Sequence, residues 1–385
     1  VKAIKMQNIK LEEQKKFDYL EKNIKEKQIL PKETVKGVGF CKPKFMFSGA
    51  CRGCGETPYL NLLTKLFKDN IIIANATGCS SIYGASLPST PYSVPWGNSL
   101  FEDNAEFGLG IRTAEDVMHD RIINIMKENK NKLNNHNKRL VNKYLKEYSK
   151  EVSFEVYEKL DYDNFKEIIP YKKYIKEKSI WCVGGDGWAY DIGYGGIDHV
   201  LASGMDINIL VLDTESYSNT GGQASKATRN GAIAKFAASG KKTDKKDLGR
   251  IAMCYENVYV ATVSLGGGYN QVIKALKEAN DYKGPSIVIC YAPCIAHGIK
   301  NGMKDSIKEE KLAVESGYFP LYRYNPETKK LTLDSKIDSS KIDEIFEREN
   351  RYKMCPDKTL LERNKENAME TYEKLQEEAE KDVNL

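Results

Sequence analysis

No apolar run in the 385 residues is long enough to span a bilayer, and the first forty are too charged to hold the apolar stretch of a secretory leader. A cytoplasmic chain without membrane contact is therefore expected. Histidine is scarce, with four in all. His119, His136, His199 and His297 lie far apart without metal-ligand spacing. His199 reads as a packing residue rather than a base. Zinc-finger spacing, RNP-like aromatic motifs and long arginine tracts are missing, which argues against a nucleic-acid partner. The formal charge of +5 comes from 59 basic and 54 acidic residues with the signs mixed, as on a solvated lysine-rich surface. No internal repeat is visible. An initiator Met is also missing: the sequence begins at Val1, and an upstream segment is expected.

Hydrophobic residues make up 41% of the chain, the share of an ordinary globular protein with a sizeable core. Residues 1–44 are rich in Lys and Glu and read as a linker. From Phe45 the texture changes to short apolar runs punctuated by glycine. Strands are predicted at Ile71–Ala74, Ser179–Val183, Ile209–Leu212, Val258–Val263 and Ile287–Ile289. Near-continuous apolar runs of this kind suit a parallel sheet covered on both faces. Helical patterns fall between them, at Pro58–Phe67, Ile192–Ala202 and Asn270–Ala279. The alternation predicts an α/β fold with a mainly parallel sheet flanked by helices. A domain over 45–325 is expected, interrupted at 113–178 by Lys-, Asn- and Glu-rich surface helices with Val117, Ile122 and Ile125 at helical spacing. Residues 326–385 read as a charged helical extension, with Ala368, Tyr372, Leu375 and Ala379 on one face.

Within that domain, the run Trp181-Cys182-Val183-Gly184-Gly185-Asp186-Gly187 takes an apolar strand straight into glycines and one aspartate. Glycines at the carboxyl end of a strand permit a tight turn and a close approach of backbone to ligand. In open α/β sheets ligands bind at that end, and the helix starting near Trp188 would turn its amides toward an anion. A carboxylate there would repel a bare phosphate. It makes sense with a hard divalent cation such as Mg2+ between the two. The next strand returns the chain to the same edge and ends in Asp213-Thr214-Glu215-Ser216-Tyr217-Ser218-Asn219, whose hydroxyl and carbonyl oxygens can complete the cation's shell.

A Gly-Asp-Gly followed by a loop ending in Asn resembles the diphosphate motif of thiamine-diphosphate enzymes. Reading on, Gly185-Asp186-Gly187-Trp188-Ala189-Tyr190-Asp191-Ile192-Gly193 and Thr214-Glu215-Ser216-Tyr217-Ser218-Asn219-Thr220-Gly221-Gly222-Gln223 resemble the pyruvate:ferredoxin (flavodoxin) oxidoreductase family. That resemblance implies that Asp186, the Thr214 hydroxyl and the Ser216 carbonyl hold Mg2+. It implies that Gly185, Asp186, Gly187 and Trp188, with Thr214, Glu215, Ser216, Tyr217, Ser218 and Asn219, line the diphosphate. Asn219 would also reach the substrate as the catalytic residue.

Cysteine is the residue in surplus. Nine in a chain without secretory features, an odd number, argue for metal ligation over a disulfide framework. Cys51 and Cys54 form a CxxC, Cys79 follows the first core strand and Cys294 follows the last. Four thiolates suit a [4Fe–4S] cluster or structural zinc. With only one close pair, the cluster is favoured. In the resembled family cysteines in these four contexts hold a cluster next to the thiamine, and Glu56 and Cys79 also contact the cofactor. Cys182 and Cys290 fall in apolar strands and read as core residues, Cys254 as packing. Cys41 and Cys355 sit among charges and are given no role.

The resemblance implies oxidative decarboxylation of pyruvate to acetyl-CoA and CO2, with electrons passing one at a time to ferredoxin or flavodoxin, as in anaerobic metabolism. Coenzyme A, a homodimeric full enzyme and N-terminal domains or subunits are the implied partners. The domain supplying a glutamate for the aminopyrimidine and a substrate-binding Thr and Arg has no match here, nor has the CxxCxxCxxxC run of a two-cluster domain. Two alternatives stay open: a β subunit for another 2-oxoacid such as 2-oxoglutarate, and a non-catalytic module whose cysteines hold zinc.

Overall fold

The computed structural model describes residues 7–8, 11–85 and 90–381. Parts of the predicted linker (1–6, 9–10), of the predicted domain (86–89) and of the predicted extension (382–385) lie outside the described residues. The strands are β1 Ile71–Ala76, β2 Trp96–Ser99, β3 Ser179–Gly185, β4 Asn208–Asp213, β5 Tyr259–Val263, β6 Ser286–Tyr291, β7 Tyr322–Asn325 and β8 Lys330–Leu333. They form one sheet in the order β2-β1-β3-β4-β6-β5-β7-β8. It is parallel from β2 through β5, and β7 and β8 close one edge antiparallel. The α/β class expected from the sequence is the fold found.

The apolar runs are long because both faces of the sheet are buried. Alternate residues serve opposite cores, as the two-residue repeat of a strand requires. Ile180, Cys182, Ile209, Val211, Ile287 and Ile289 face one core, and Trp181, Val183, Leu210, Leu212, Val288 and Cys290 face the other. Helix Tyr194–Ala202 covers the first with Ile197, Val200 and Leu201. Helices Thr57–Phe67 and Leu265–Asp281 cover the second. Helix Asn104–Asn129 passes close over the first face at Gly108, where a Cβ would lie 2.1 Å from Cys182 Sγ.

The predicted insertion at 113–178 differs in detail. Its helix begins at Asn104, and Val117 is exposed. Ile122 and Met126 join Leu140, Val141, Val156 and Phe165 in a small core of their own, so the segment packs as more than surface helices. At the other end, the β7–β8 hairpin runs across residue 325, and the sheet continues into the predicted extension. Helix Lys358–Lys381 buries Ala368 and Leu375 in the first core. Near the start, Val38, Cys41 and Phe45 are buried, whereas residues 12–23 of helix Leu11–Asn23 are exposed. Two cysteines assigned no role, Cys41 and Cys355, are thus core residues, and Cys254, expected to pack, is exposed. His199 is also exposed, because it points off the outer face of its helix.

Candidate active site

The strand order reverses between β1 and β3: β2 lies on one side of β1 and β3 on the other. A crevice forms at such a switch point, outside the carboxyl ends of the strands. The predicted residues gather there because their loops leave neighbouring strands. Cys79 follows β1, Asp186 follows β3, Thr214 follows β4 and Cys294 follows β6.

After β3 the chain enters a π-helical turn, Gly187–Ile192, before the regular helix starts at Tyr194. Such turns recur at functional sites because they re-aim side chains. Gly187 carries no Cβ where one would lie 2.6 Å from the Tyr217 ring. Asp186 is buried. Its Oδ1 accepts a hydrogen bond from Thr214 Oγ1 at 2.9 Å, and its Oδ2 accepts one from Ser225 Oγ at 2.5 Å. Thr214 Oγ1 also lies 3.1 Å from the Ser216 carbonyl and 2.5 Å from Ser218 Oγ. Burial, with the Asp213 carboxylate nearby, pushes the Asp186 carboxyl up to about 8.

This donor set fits Mg2+. Octahedral Mg–O distances put adjacent ligand oxygens about 3 Å apart, the spacing of Thr214 Oγ1 from Asp186 Oδ1 and from the Ser216 carbonyl. A carboxyl whose charge is disfavoured by burial and by a neighbouring carboxylate is one whose ionised form a divalent cation would favour. Glu56, Gly78, Cys79, Trp188, Ser216 and Asn219 are among the walls of a cavity of about 250 Å3 beside this cage.

A second cavity, of about 150 Å3, is lined by all four predicted thiols: Cys51, Cys54, Cys79 and Cys294. It shares Glu56, Cys79, Thr214, Ser218 and Asn219 with the first, so the two sites adjoin. The CxxC loop is tied to the Cys294 turn where Gly55 N–H donates to the Pro293 carbonyl at 3.0 Å. Gly53 turns the loop with φ +76 against Met303. Burial, then Glu56, pushes the Cys54 thiol up to about 12, and burial raises Cys79 and Cys294 as well. Among the described residues no three His, Cys, Asp or Glu side chains converge on a point where one ion would sit. At the shared wall, Glu56 accepts from the Tyr83 hydroxyl at 2.9 Å, and burial pushes its carboxyl up to about 7.

Glu215 departs from expectation. Its side chain lines neither cavity and points into the protein, where it is fully buried. The loop has φ +55 at this residue, which turns the side chain away from its neighbours. Glu215 Oε1 meets Lys245 at 2.9 Å and Arg229 at 3.2 Å. Oε2 meets Tyr318 at 2.6 Å and Arg351 at 2.8 Å. Burial would raise its carboxyl, but Lys245, Arg351 and Arg229 hold it well below the usual range. Its backbone is engaged as well, the N–H donating to Asp213 Oδ1 at 3.1 Å and the carbonyl accepting from Thr228 Oγ1 at 2.6 Å, so Glu215 braces the loop from behind.

Sequence reasoning missed Ser225, Lys245 and His297. Ser225 and Lys245 lie in polar stretches with no pattern. His297 stands three positions after Cys294, a proximity that could have marked it. A larger cavity, of about 360 Å3 under the terminal helix, contains none of the predicted site residues. The convergence of oxygens and thiols, rather than size, locates the site.

Residues 171–290 match the family model described as thiamine pyrophosphate enzyme, C-terminal TPP binding domain. A pyruvate:ferredoxin oxidoreductase of Moorella thermoacetica is 46% identical over 387 aligned positions, covering 89% of this chain and 32% of that protein. A pyruvate-flavodoxin oxidoreductase of Klebsiella pneumoniae is 49% identical, covering 85% and 30%. A pyruvate dehydrogenase (NADP+) of Cryptosporidium parvum is 43% identical, covering 90% and 21%. The chain spans about a third or less of the length of these curated relatives, and over most of its own length it is similar to one part of them.

Proposed function

We propose that this chain is the diphosphate- and Mg2+-holding side of a thiamine-diphosphate site, wired to a [4Fe–4S] cluster, in an enzyme that oxidatively decarboxylates pyruvate to acetyl-CoA and CO2. The observation that carries the reading is the junction of the two cavities: an oxygen cage and four thiols share the wall formed by Glu56, Cys79, Thr214, Ser218 and Asn219. Thiamine diphosphate supplies the carbon nucleophile and electron sink of decarboxylation, and an adjoining cluster supplies a one-electron acceptor.

The chain's own residues bind and orient. Asp186, Thr214 and the Ser216 carbonyl hold Mg2+. Gly185 to Trp188 and the Thr214–Asn219 loop line the diphosphate, with Glu215 bracing that loop from behind. Asn219, exposed where the two cavities meet, reaches the substrate. Glu56, ionising near neutral pH, can hold or release a proton at the shared wall. Cys51, Cys54, Cys79 and Cys294 hold the cluster. All four thiols line one cavity, a ligand set that suits a [4Fe–4S] cluster.

The names of the Moorella and Klebsiella relatives support pyruvate as substrate and ferredoxin or flavodoxin as acceptor. The missing side of the site, with coenzyme A binding, belongs to further domains or subunits of a cytoplasmic homodimer. Ile295, 64% exposed on the rim of the thiol cavity, is suited to be covered by them. Metal and sulfide analysis of anaerobically purified protein, with thiamine-diphosphate binding by Asp186→Ala, tests the reading. Iron and sulfide in equal amounts are expected, and loss of Mg2+-dependent cofactor binding in the variant. A zinc-only sample, or a variant that still binds, overturns it.

A further inference from the structure

His297 is buried, and its Nε2 lies 2.8 Å from the backbone carbonyl of Thr214. A carbonyl oxygen only accepts, so Nε2 carries a hydrogen. The other ring nitrogen, Nδ1, faces Glu349 Oε1 at 3.5 Å, and neither atom has another hydrogen-bond partner; with an acceptor on that side too, Glu349 orients the ring through a hydrogen on Nδ1. Glu349 is itself buried and braced: Arg351 Nε donates to its Oε2 at 2.6 Å, and Arg351 also reaches Glu215 at 2.8 Å. A carboxylate, an imidazole and a peptide carbonyl thus stand in line, ending on the residue whose hydroxyl bridges Asp186 and the Ser216 carbonyl.

The same histidine belongs to the cysteine turn. Its N–H donates to the Cys294 carbonyl at 3.0 Å. The chain just beyond it is stitched to the Glu349 segment, Asn350 N–H donating to Gly298 at 3.1 Å and Lys300 N–H to Arg348 at 2.8 Å. One buried side chain therefore joins the oxygen cage, the thiol-bearing turn and a segment far along the chain. Partners behind a ligand set its orientation and commonly change metal affinity when removed.

We propose that His297, oriented by Glu349, is a positioning residue that fixes the Thr214 peptide in the Mg2+–diphosphate cage and holds that cage against the Cys294 turn. The inference rests on the site reading above. It is tested on the whole protein by calorimetric titration of Mg2+ with thiamine diphosphate saturating.

His297→Leu removes the donor and is expected to weaken Mg2+ binding about 10–100-fold. His297→Gln keeps a side-chain N–H and is expected to restore affinity to within a few-fold of the parent, a rescue that simple repair of packing would not give. Glu349→Gln is expected to fall between the two, and with His297→Gln it decides the matter if His297→Leu does not fold. Parental Mg2+ affinity in His297→Leu, equal losses in the Leu and Gln variants, or an unchanged Glu349→Gln overturns the proposal. Asp186→Ala separates the levels. If it binds Mg2+ normally, the site reading itself falls. If it loses Mg2+ while His297→Leu keeps it, only the positioning role falls.

Discussion

Glu310 is fully buried, with no cation beside it. Its Oε2 accepts the Gly266 N–H at 2.8 Å and only long hydrogen bonds from Ser264 and Tyr59, both at 3.4 Å. Burial pushes its carboxyl up from 4.5 to about 8. The folded state therefore holds a proton that the unfolded chain releases near 4.5, and stability falls as pH rises through that window. The loss is at most about 5 kcal/mol, since each pKa unit corresponds to about 1.4 kcal/mol. Glu310→Gln keeps an acceptor and removes the ionisation. The variant is expected to gain on the parent steadily from pH 5 to pH 8 in denaturant unfolding, with contributions from Glu56 and Asp186 cancelling in the difference. Parallel pH profiles would show that Glu310 ionises freely. Glu215 makes the opposite case at the same scale. It is as deeply buried, but three cationic side chains keep it charged. In the sequence both are merely glutamates in polar-looking stretches, since the partners that distinguish them come from elsewhere in the chain.

Elements were legible in the sequence in proportion to how completely they are buried. The runs in β1, β3, β4, β5 and β6 are apolar throughout because helices cover both faces, and all five were predicted. Trp-Gly-Asn-Ser in β2 and the hairpin Tyr322–Asn325 and Lys330–Leu333 lie toward the sheet's edges, half exposed and polar, and carry no such run. The Gly184-Gly185-Asp186-Gly187 segment was visible as a turn, but its glycines looked alike. Packing separates them. A Cβ at Gly184 would lie 2.5 Å from the Trp188 ring and 2.8 Å from Ala76 Cβ, whereas one at Gly185 would meet nothing nearer than Leu212 O at 3.8 Å. Gly184→Ala is expected to destabilise by about 1–3 kcal/mol through overpacking between β3, β1 and the π-helical turn. Because Trp188 walls the cofactor cavity, its fluorescence should shift as well. Gly185→Ala should leave unfolding nearly unchanged. Equal stability of the two variants in denaturant titration would contradict this division of roles.

At the scale of the whole molecule, the residues after 325 are part of the site's support. They bring β8 to the sheet edge, Leu361, Ala368 and Leu375 to the first core, Arg351 to Glu215 and Glu349 to His297. Ending the chain after Asn325 would leave Glu215 and its remaining cations in a buried network opened to water, with apolar surface of the first core exposed. Breaking one side of a buried ion pair alone costs about 3–5 kcal/mol, a large share of the stability of any domain. The shortened chain is therefore expected to lose cooperative thermal unfolding and to be cleaved rapidly by protease in the loops that bear Asp186 and Thr214. If the residues after 325 were an accessory covering, the shortened chain would melt in one sharp step and bind thiamine diphosphate with Mg2+ as before. Thermal melts and limited proteolysis of the two lengths distinguish these outcomes. Loss of the sharp transition would show that the cofactor loop is held from behind by the residues after 325 as firmly as it is framed in front by β3 and β4.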